Sequence, residues 1–292
     1  FLTRFEANNL PVEGLNLWSK NYLKKTTFLH DFLGNGLGLE LSFLAKNKEV
    51  SLDLGLDSTN TQARIFGSLH QGYFTLNIPA TIQQKISKQI FKDLLGKNWN
   101  LSLSSSNDIS LIGRLDHLSF PVDDFIPNFS KIILHGNLQV PSLFFDSYKN
   151  MPPVSLDNFF LNLKTLPNYH YRIEAHSNLN YNKINSLFKV RSTIEEPFTS
   201  FGEIDEEHLR INTMTHLKDF PLRLLEKSHN VKKVEETLGD HFTGNVITNY
   251  FQGRATHNIS GQTPYLDIKN LHLAKTKILI ATQPGAMTYT IS

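Results

Sequence analysis

Alternation of apolar and polar residues runs through most of this chain. In EVSLDLGLD, Val50, Leu52, Leu54 and Leu56 fall on one side and Ser51, Asp53, Gly55 and Asp57 on the other. A period of two is the mark of a strand with one buried face. NWNLSLS repeats it with Trp99, Leu101 and Leu103, and HLRINTMTHL follows it more weakly through Leu209, Ile211, Thr213 and Thr215. YLDIKNLHL aligns Leu266 and Ile268, then Leu271 and Leu273 after a slip of one residue, which predicts a β-bulge. Similar runs lie near 64–78, 109–118, 131–145, 156–163, 169–179, 186–194, 243–259 and 277–291. Most connectors between them are short and rich in Gly, Asn, Asp, Ser or Pro. They leave no room for crossover helices, so the pattern predicts antiparallel meanders.

Three stretches read as helices. PATIQQKISKQIFKDLLGK spaces Ile82, Ile86, Ile90 and Leu94 four apart, with Thr81 placed as N-cap and Gly96 as C-cap. DFPLRLLEKSHNVKKVEETLGD has Asp219 as cap, Pro221 in the first turn and a stop at Gly239, with Ser-His-Asn splitting it in two. NLPVEGLNLWSKNYLKKTTFLHDFLGN has the same plan and stops at Gly34.

That last stop settles a second question. The run LGNGLGLELSF carries Gly34, Gly36 and Gly38 at the spacing of a nucleotide loop. A phosphate loop follows a strand and opens a helix, whereas Gly34 follows a helix and precedes a strand. It therefore meets the negative end of the helix dipole, the wrong sign for phosphate, and reads as a helix C-cap. Residues 10–67 and 220–268 share one organisation: an aromatic or Leu before Pro, amphipathic helix, Leu-Gly, then strands. The chain is accordingly expected to divide into a helix-plus-strands unit at 1–79, a second helix with long strands at 80–217, and a second copy of the first plan at 218–292.

The expected fold is mainly β with a few amphipathic helices. Three short helices cannot cover one apolar face on each of so many strands. A sandwich would bury those faces on each other, and a membrane barrel would turn them outward. An elongated, curved antiparallel sheet would leave them lining a groove, with helices edging or plugging it. Exposed apolar surface of that extent marks an interaction site, and an acyl chain is its natural occupant, at about 0.8 kcal/mol per buried CH₂. The lipid-lining candidates are Val50, Leu52, Leu54, Leu56, Trp99, Leu101, Leu103, Leu266 and Ile268. The other expectation is a non-catalytic interaction or scaffold module, a sandwich or solenoid with those faces internal.

NNLPVEGLNLW, KDFPLRLLEK with VEETLGDHFTGNVITN, and ATIQQKISKQIFKDLLGK with LSLSSSNDISLIGRLDHLSFPVDDF together span most of the chain. They resemble the repetitive segments of AsmA-like proteins, the group that includes TamB and its relatives, in pattern more than in identity. The resemblance implies a β-groove in the periplasm or cell envelope, anchored to the inner membrane by a segment outside this chain. It implies intermembrane lipid transport or outer-membrane assembly, with phospholipid or another acyl-chain lipid as ligand and outer-membrane or envelope proteins as partners. It brings no active-site motif and no cofactor. The three inserted helices depart from a plain groove.

Composition narrows the chemistry further. Charged residues make up 19% of the 292 positions, with 29 Lys and Arg against 27 Asp and Glu, so bulk charge draws the chain neither to nucleic acid nor to an acidic membrane face. Cysteine is absent, which removes disulfides, thiolate metal sites and cysteine nucleophiles. The first residue is Phe1 and the last run is strand-like, so the chain reads as a piece of something longer. No stretch reaches the roughly 18 apolar residues of a membrane helix.

Twelve histidines are scattered, with no His-Glu-x-x-His; His170 and His176 lie six apart on one strand face and read as surface residues with no ligand role. The carboxylate pairs Asp123-Asp124, Glu195-Glu196 and Glu206-Glu207 sit beside prolines or in polar turns, and there is no Gly-x-Ser-x-Gly. Asn128 and Asn258 head chance-level glycosylation sequons. Twenty-one Phe could stack on single-stranded nucleic acid, but such a groove wants interleaved Lys and Arg, and the near-zero net charge argues against it; Phe reads as ordinary apolar filling. The reading is of a non-enzyme.

Overall fold

The computed structural model describes residues 2–11, 33–34, 36–46, 49–87, 108–123, 126–145, 153–197, 205, 207–224, 233–269, 271–283 and 286–292. The fold is mainly β: seventeen strands, antiparallel in every registered pairing, with very little helix among the described residues. The chain forms two compact units, residues 1–142 with 162–165, and residues 143–161 with 166–292.

The first unit is a meander. β1 (Leu2–Pro11), β2 (Gly36–Lys46), β3 (Glu49–Ser58) and β4 (Thr61–His70) pair in chain order. β5 (Tyr73–Leu76) and β6 (Ala80–Ile86) then share one place in the sheet, lying end to end between β4 and β7 (Ile109–Asp123). β7 also pairs with the short β8 (Ile126–Pro127) and with β9 (Ile133–Phe145). The break at 77–79 ends in Pro79, which has no N–H to give a ladder; Asn77 N–H still donates to the Phe66 carbonyl at 2.9 Å. The Thr165 hydroxyl caps the other end of the unit by accepting from Leu134 N–H at 2.8 Å.

The second unit is also a meander. It holds most of β10 (Val154–Thr165), then β11 (Tyr171–Tyr181), β12 (Ile184–Glu195), β13 (Arg210–Pro221), β14 (His241–Phe251), β15 (Arg254–Ile268), β16 (Leu271–Gln283) and β17 (Ala286–Ile291). From β11 onward each strand pairs with the next. Two of its turns, Asn182-Lys183 and Gln252-Gly253, have positive φ at both residues, as does Gln71-Gly72 in the first unit. That is the twist a two-residue hairpin needs between right-twisted strands. A small core joins Val154, Leu179 and Tyr181, with Phe188, Phe220 and Leu224 packed against it.

A short helix, α1 (Val234–Leu238), lies against β15. It stops at Gly239, whose φ is +91° and whose N–H donates to the Glu235 carbonyl at 2.9 Å. Tyr265 hydroxyl donates to that same carbonyl at 3.3 Å. Gly34, with φ +88°, follows a helical Leu33 and precedes β2, so both Leu-Gly stops have the geometry that their sequence predicts.

Several local expectations are corrected. The stretch from Ala80 to Ile86 is a strand, and Thr81 is in its ladder opposite Arg64 and Arg114 rather than capping a helix. Ile82 and Ile86 are four apart and so share a face in a strand as well as in a helix, and the β-branched Thr81, Ile82 and Ile86 favour the strand. The remainder of that expected helix lies outside the described residues. β1 runs through Pro11, so Leu10 and Pro11 are strand residues; the rest of the helix expected after them, residues 12–32, lies outside the described residues. Asp219 sits with φ +54° at a register shift inside β13, not at a helix cap; helix begins only at 222. The slip between Ile268 and Leu271 is a hairpin: Ile268 pairs with Leu271 and Leu266 with Leu273.

Candidate functional site: two charge-free strand faces

Strand registers sort side chains into continuous rows. In the first unit one row runs Phe5, Leu41, Leu54, Ile65 across β1 to β4, and the row beside it runs Thr3, Phe43, Leu52, Gly67 and on to Leu76 of β5. A third row continues Ala7, Leu39, Leu56, Ala63, Ile82, Gly113, Leu138 as far as β9. These rows contain no Asp, Glu, Lys or Arg. The polar pair Thr61 and Gln84 on this face is buried, with the Thr61 hydroxyl donating to Gln84 Oε1 at 2.6 Å.

Charge in this unit collects on the opposite face. Arg4 donates to Glu40 at 2.8 Å and Arg64 to Asp53 at 2.9 Å. The hydrogen bond and charge of Asp53 hold the Arg64 guanidinium above even its ordinary pKa. A shallow depression of about 220 Å³ lies on the charged side, lined by Asp57, Gln62, Arg64, Thr81 and Gln83 with Leu56 and Ala63. Its lining is too polar for an acyl chain.

The four candidates on β3 fall together. Val50, Leu52, Leu54 and Leu56 occupy successive places on the charge-free face, all half-buried. Leu266 and Ile268 are in the second unit and differ from each other: Leu266 is 2% exposed and Ile268 is 45% exposed. Trp99, Leu101 and Leu103 lie outside the described residues. Sequence reasoning passed over Phe5, Leu41, Phe43 and Ile65, which complete the β3 rows; Phe5 is 50% exposed. The signal was available in β2, where Leu37, Leu39, Leu41 and Phe43 alternate through the glycine-rich run first weighed as a nucleotide loop.

The second unit repeats the sorting with different residues. Across β12 to β17 one row reads Val190, Thr215, Val246, Ile259, Ile280, Tyr289, and the next reads Phe188, Leu217, Gly244, Gly261, Ile278, Ile291. Gly244 and Gly261 face each other beneath the ring of Phe242, where an added Cβ would collide with it. Gly67 plays the same part under Phe74, whose ring stacks on Phe120 at 5.1 Å between centroids. Burial pushes the Tyr171 hydroxyl, on this face, up to about 12. Asp205, in the connection before β13, is desolvated in part, but hydrogen bonds from the His208 side chain and backbone hold it below the usual carboxylate range.

Among the described residues no cluster of three His, Asp or Glu could hold a metal ion, and no helix is long and apolar enough to cross a membrane. No protein-family model, curated protein or solved structure matches the chain.

Proposed function

We propose that the charge-free face of the first unit holds the acyl chains of a phospholipid or similar lipid, and that the protein is a non-catalytic section of an AsmA-like envelope protein. In this reading the face lines a hydrophobic β-groove. It works in intermembrane lipid transport or outer-membrane assembly, on the periplasmic side, with its membrane anchor outside this chain.

The observation that carries the reading is the row Phe5, Leu41, Leu54, Ile65 and its neighbours, free of charge over four strands yet only half-buried. Half-exposed leucine is stabilised by any apolar cover, at about 25 cal/mol per Å² removed from water. A lipid tail supplies that cover without demanding hydrogen bonds. A second reading, a protein-interaction module, draws on β17, all six residues of which are exposed, Met287 and Tyr289 among them.

Native mass spectrometry of protein purified from cells tests the proposal. Phospholipid adducts are expected on the wild-type chain and lost in a Leu52→Asp, Leu54→Asp double variant. A lipid-free wild-type spectrum overturns it.

A further inference from the structure

The charged face of the second unit differs in kind from that of the first. The strand registers gather onto it Lys189, Arg210, Lys218, Arg254 and Lys277, which are far apart in sequence. All five are exposed, and among the described residues none has a carboxylate partner. Arg191 is also present but is tied to Glu174 at 2.8 Å. The other carboxylates on β12 to β16 are Glu195, placed opposite Arg210, Asp219, near His241 at 3.9 Å, and Asp267, near His272 at 3.6 Å. Chain-wide net charge hides this surplus because it averages both units.

Large apolar side chains stand among the cations. Met214 is 50% exposed and Leu279 51% exposed on the same face. Phe251 lies between Arg210 on one side and Arg254 on the other, with the Arg210 guanidinium 4.6 Å from its ring centre. The geometry points to a surface that docks on an anionic phospholipid bilayer: cations meet the headgroups while Met214, Leu279 and Phe251 enter the headgroup–acyl boundary. Single-stranded nucleic acid would want successive stacking rings between the cations; here Phe251 and the imidazole of His216 are the rings that the registers place among them on β12 to β16, and the other interleaved residues are aliphatic, such as Met214, Ile247 and Leu279, or small and polar, such as Asn212, Asn249 and Asn258. Because it uses the face opposite the charge-free rows of its own unit, this docking stands whether or not the charge-free rows of either unit carry lipid.

Vesicle flotation tests it, with phosphatidylcholine alone and with phosphatidylglycerol as about one third of the lipid. Binding is expected only to the anionic vesicles, and should fall at about 0.5 M salt as the Debye length shrinks to roughly 4 Å. Each cation near such a surface is worth about 5-fold in partitioning, so a Lys189→Gln, Arg210→Gln, Arg254→Gln variant should bind about 100-fold less. The matching variant of the first unit, Arg4→Gln, Arg64→Gln, Arg114→Gln, should change binding less than about 5-fold. Circular dichroism of both variants should match the wild type. Equal binding to neutral vesicles overturns the proposal, as does an unaffected second-unit variant. Displacement from anionic vesicles by a stoichiometric single-stranded oligonucleotide assigns the face to nucleic acid and overturns it as well.

Discussion

The β1–β4 block and the β11–β15 block use one plan and fill it differently. Each sorts its side chains into a charge-free face and a charged face. In the first block the charge-free face is leucine-rich, and the charged face is laced with ion pairs such as Arg4–Glu40 and Arg64–Asp53. In the second, the charge-free face is rich in Thr, Ser and β-branched residues, such as the row Ser192, Thr213, Thr248. Its charged face is basic. Alternation sets which side a residue takes; residue type then decides what that side can meet. Leucine rows invite an apolar guest, whereas hydroxyl rows satisfy one another, as Ser192 and Thr213 do at 2.8 Å.

The largest effect should come from the feature the two blocks share. Gly261→Val puts a branched side chain where the Phe242 ring lies, and Gly67→Val does the same under Phe74. Each should destabilise by about 3 kcal/mol in urea denaturation, since the neighbouring strand cannot yield. If either variant unfolds at the wild-type midpoint, ring-over-glycine packing is not a common device.

A smaller effect sharpens the contrast. Leu54→Ala should cost about 1–2 kcal/mol in the absence of lipid, because Leu54 is half-buried among Leu41 and Ile65. Thr215→Ala, central in the other block, should cost about 0.5 kcal/mol. Equal costs would mean that the two faces are packed alike.

The smallest effect at neutral pH is that of Tyr171→Phe, which should appear only in alkali. Tyr171 keeps its proton to about 12 in the folded chain and loses it near 10 when unfolded. The unfolded state therefore binds fewer protons between those values, and stability falls as pH rises through that window. The variant should lack this decline. A wild-type stability flat from about pH 9 to 12 would contradict the burial of Tyr171.

Much of the strand content was legible because alternation is a local signal. The β3 positions Val50, Leu52, Leu54 and Leu56, the runs of β10 to β12 and both Leu-Gly stops read directly from the residues. The Ala80–Ile86 strand did not, since Ile82 and Ile86 satisfy both periods and only the pairing of Thr81 with Arg64 and Arg114 decides between them. β1 was missed because ANNLP ends a strand with residues typical of a turn. The basic face was hidden for a different reason: Lys189, Arg210 and Arg254 come onto one face only through register, which no single segment encodes. The burial of Leu266 against the exposure of Ile268 is likewise not a local signal: both pair with β16, Ile268 at the hairpin end and Leu266 further in, and α1 lies against β15.

Site-specific photo-crosslinking in living cells tests the central claim most directly. A photoreactive residue in place of Leu54 should capture phospholipid, and one in place of its strand neighbour Asp53, on the charged face, should not. Lipid adducts at both positions, or at neither, would contradict an acyl-chain site on the charge-free face.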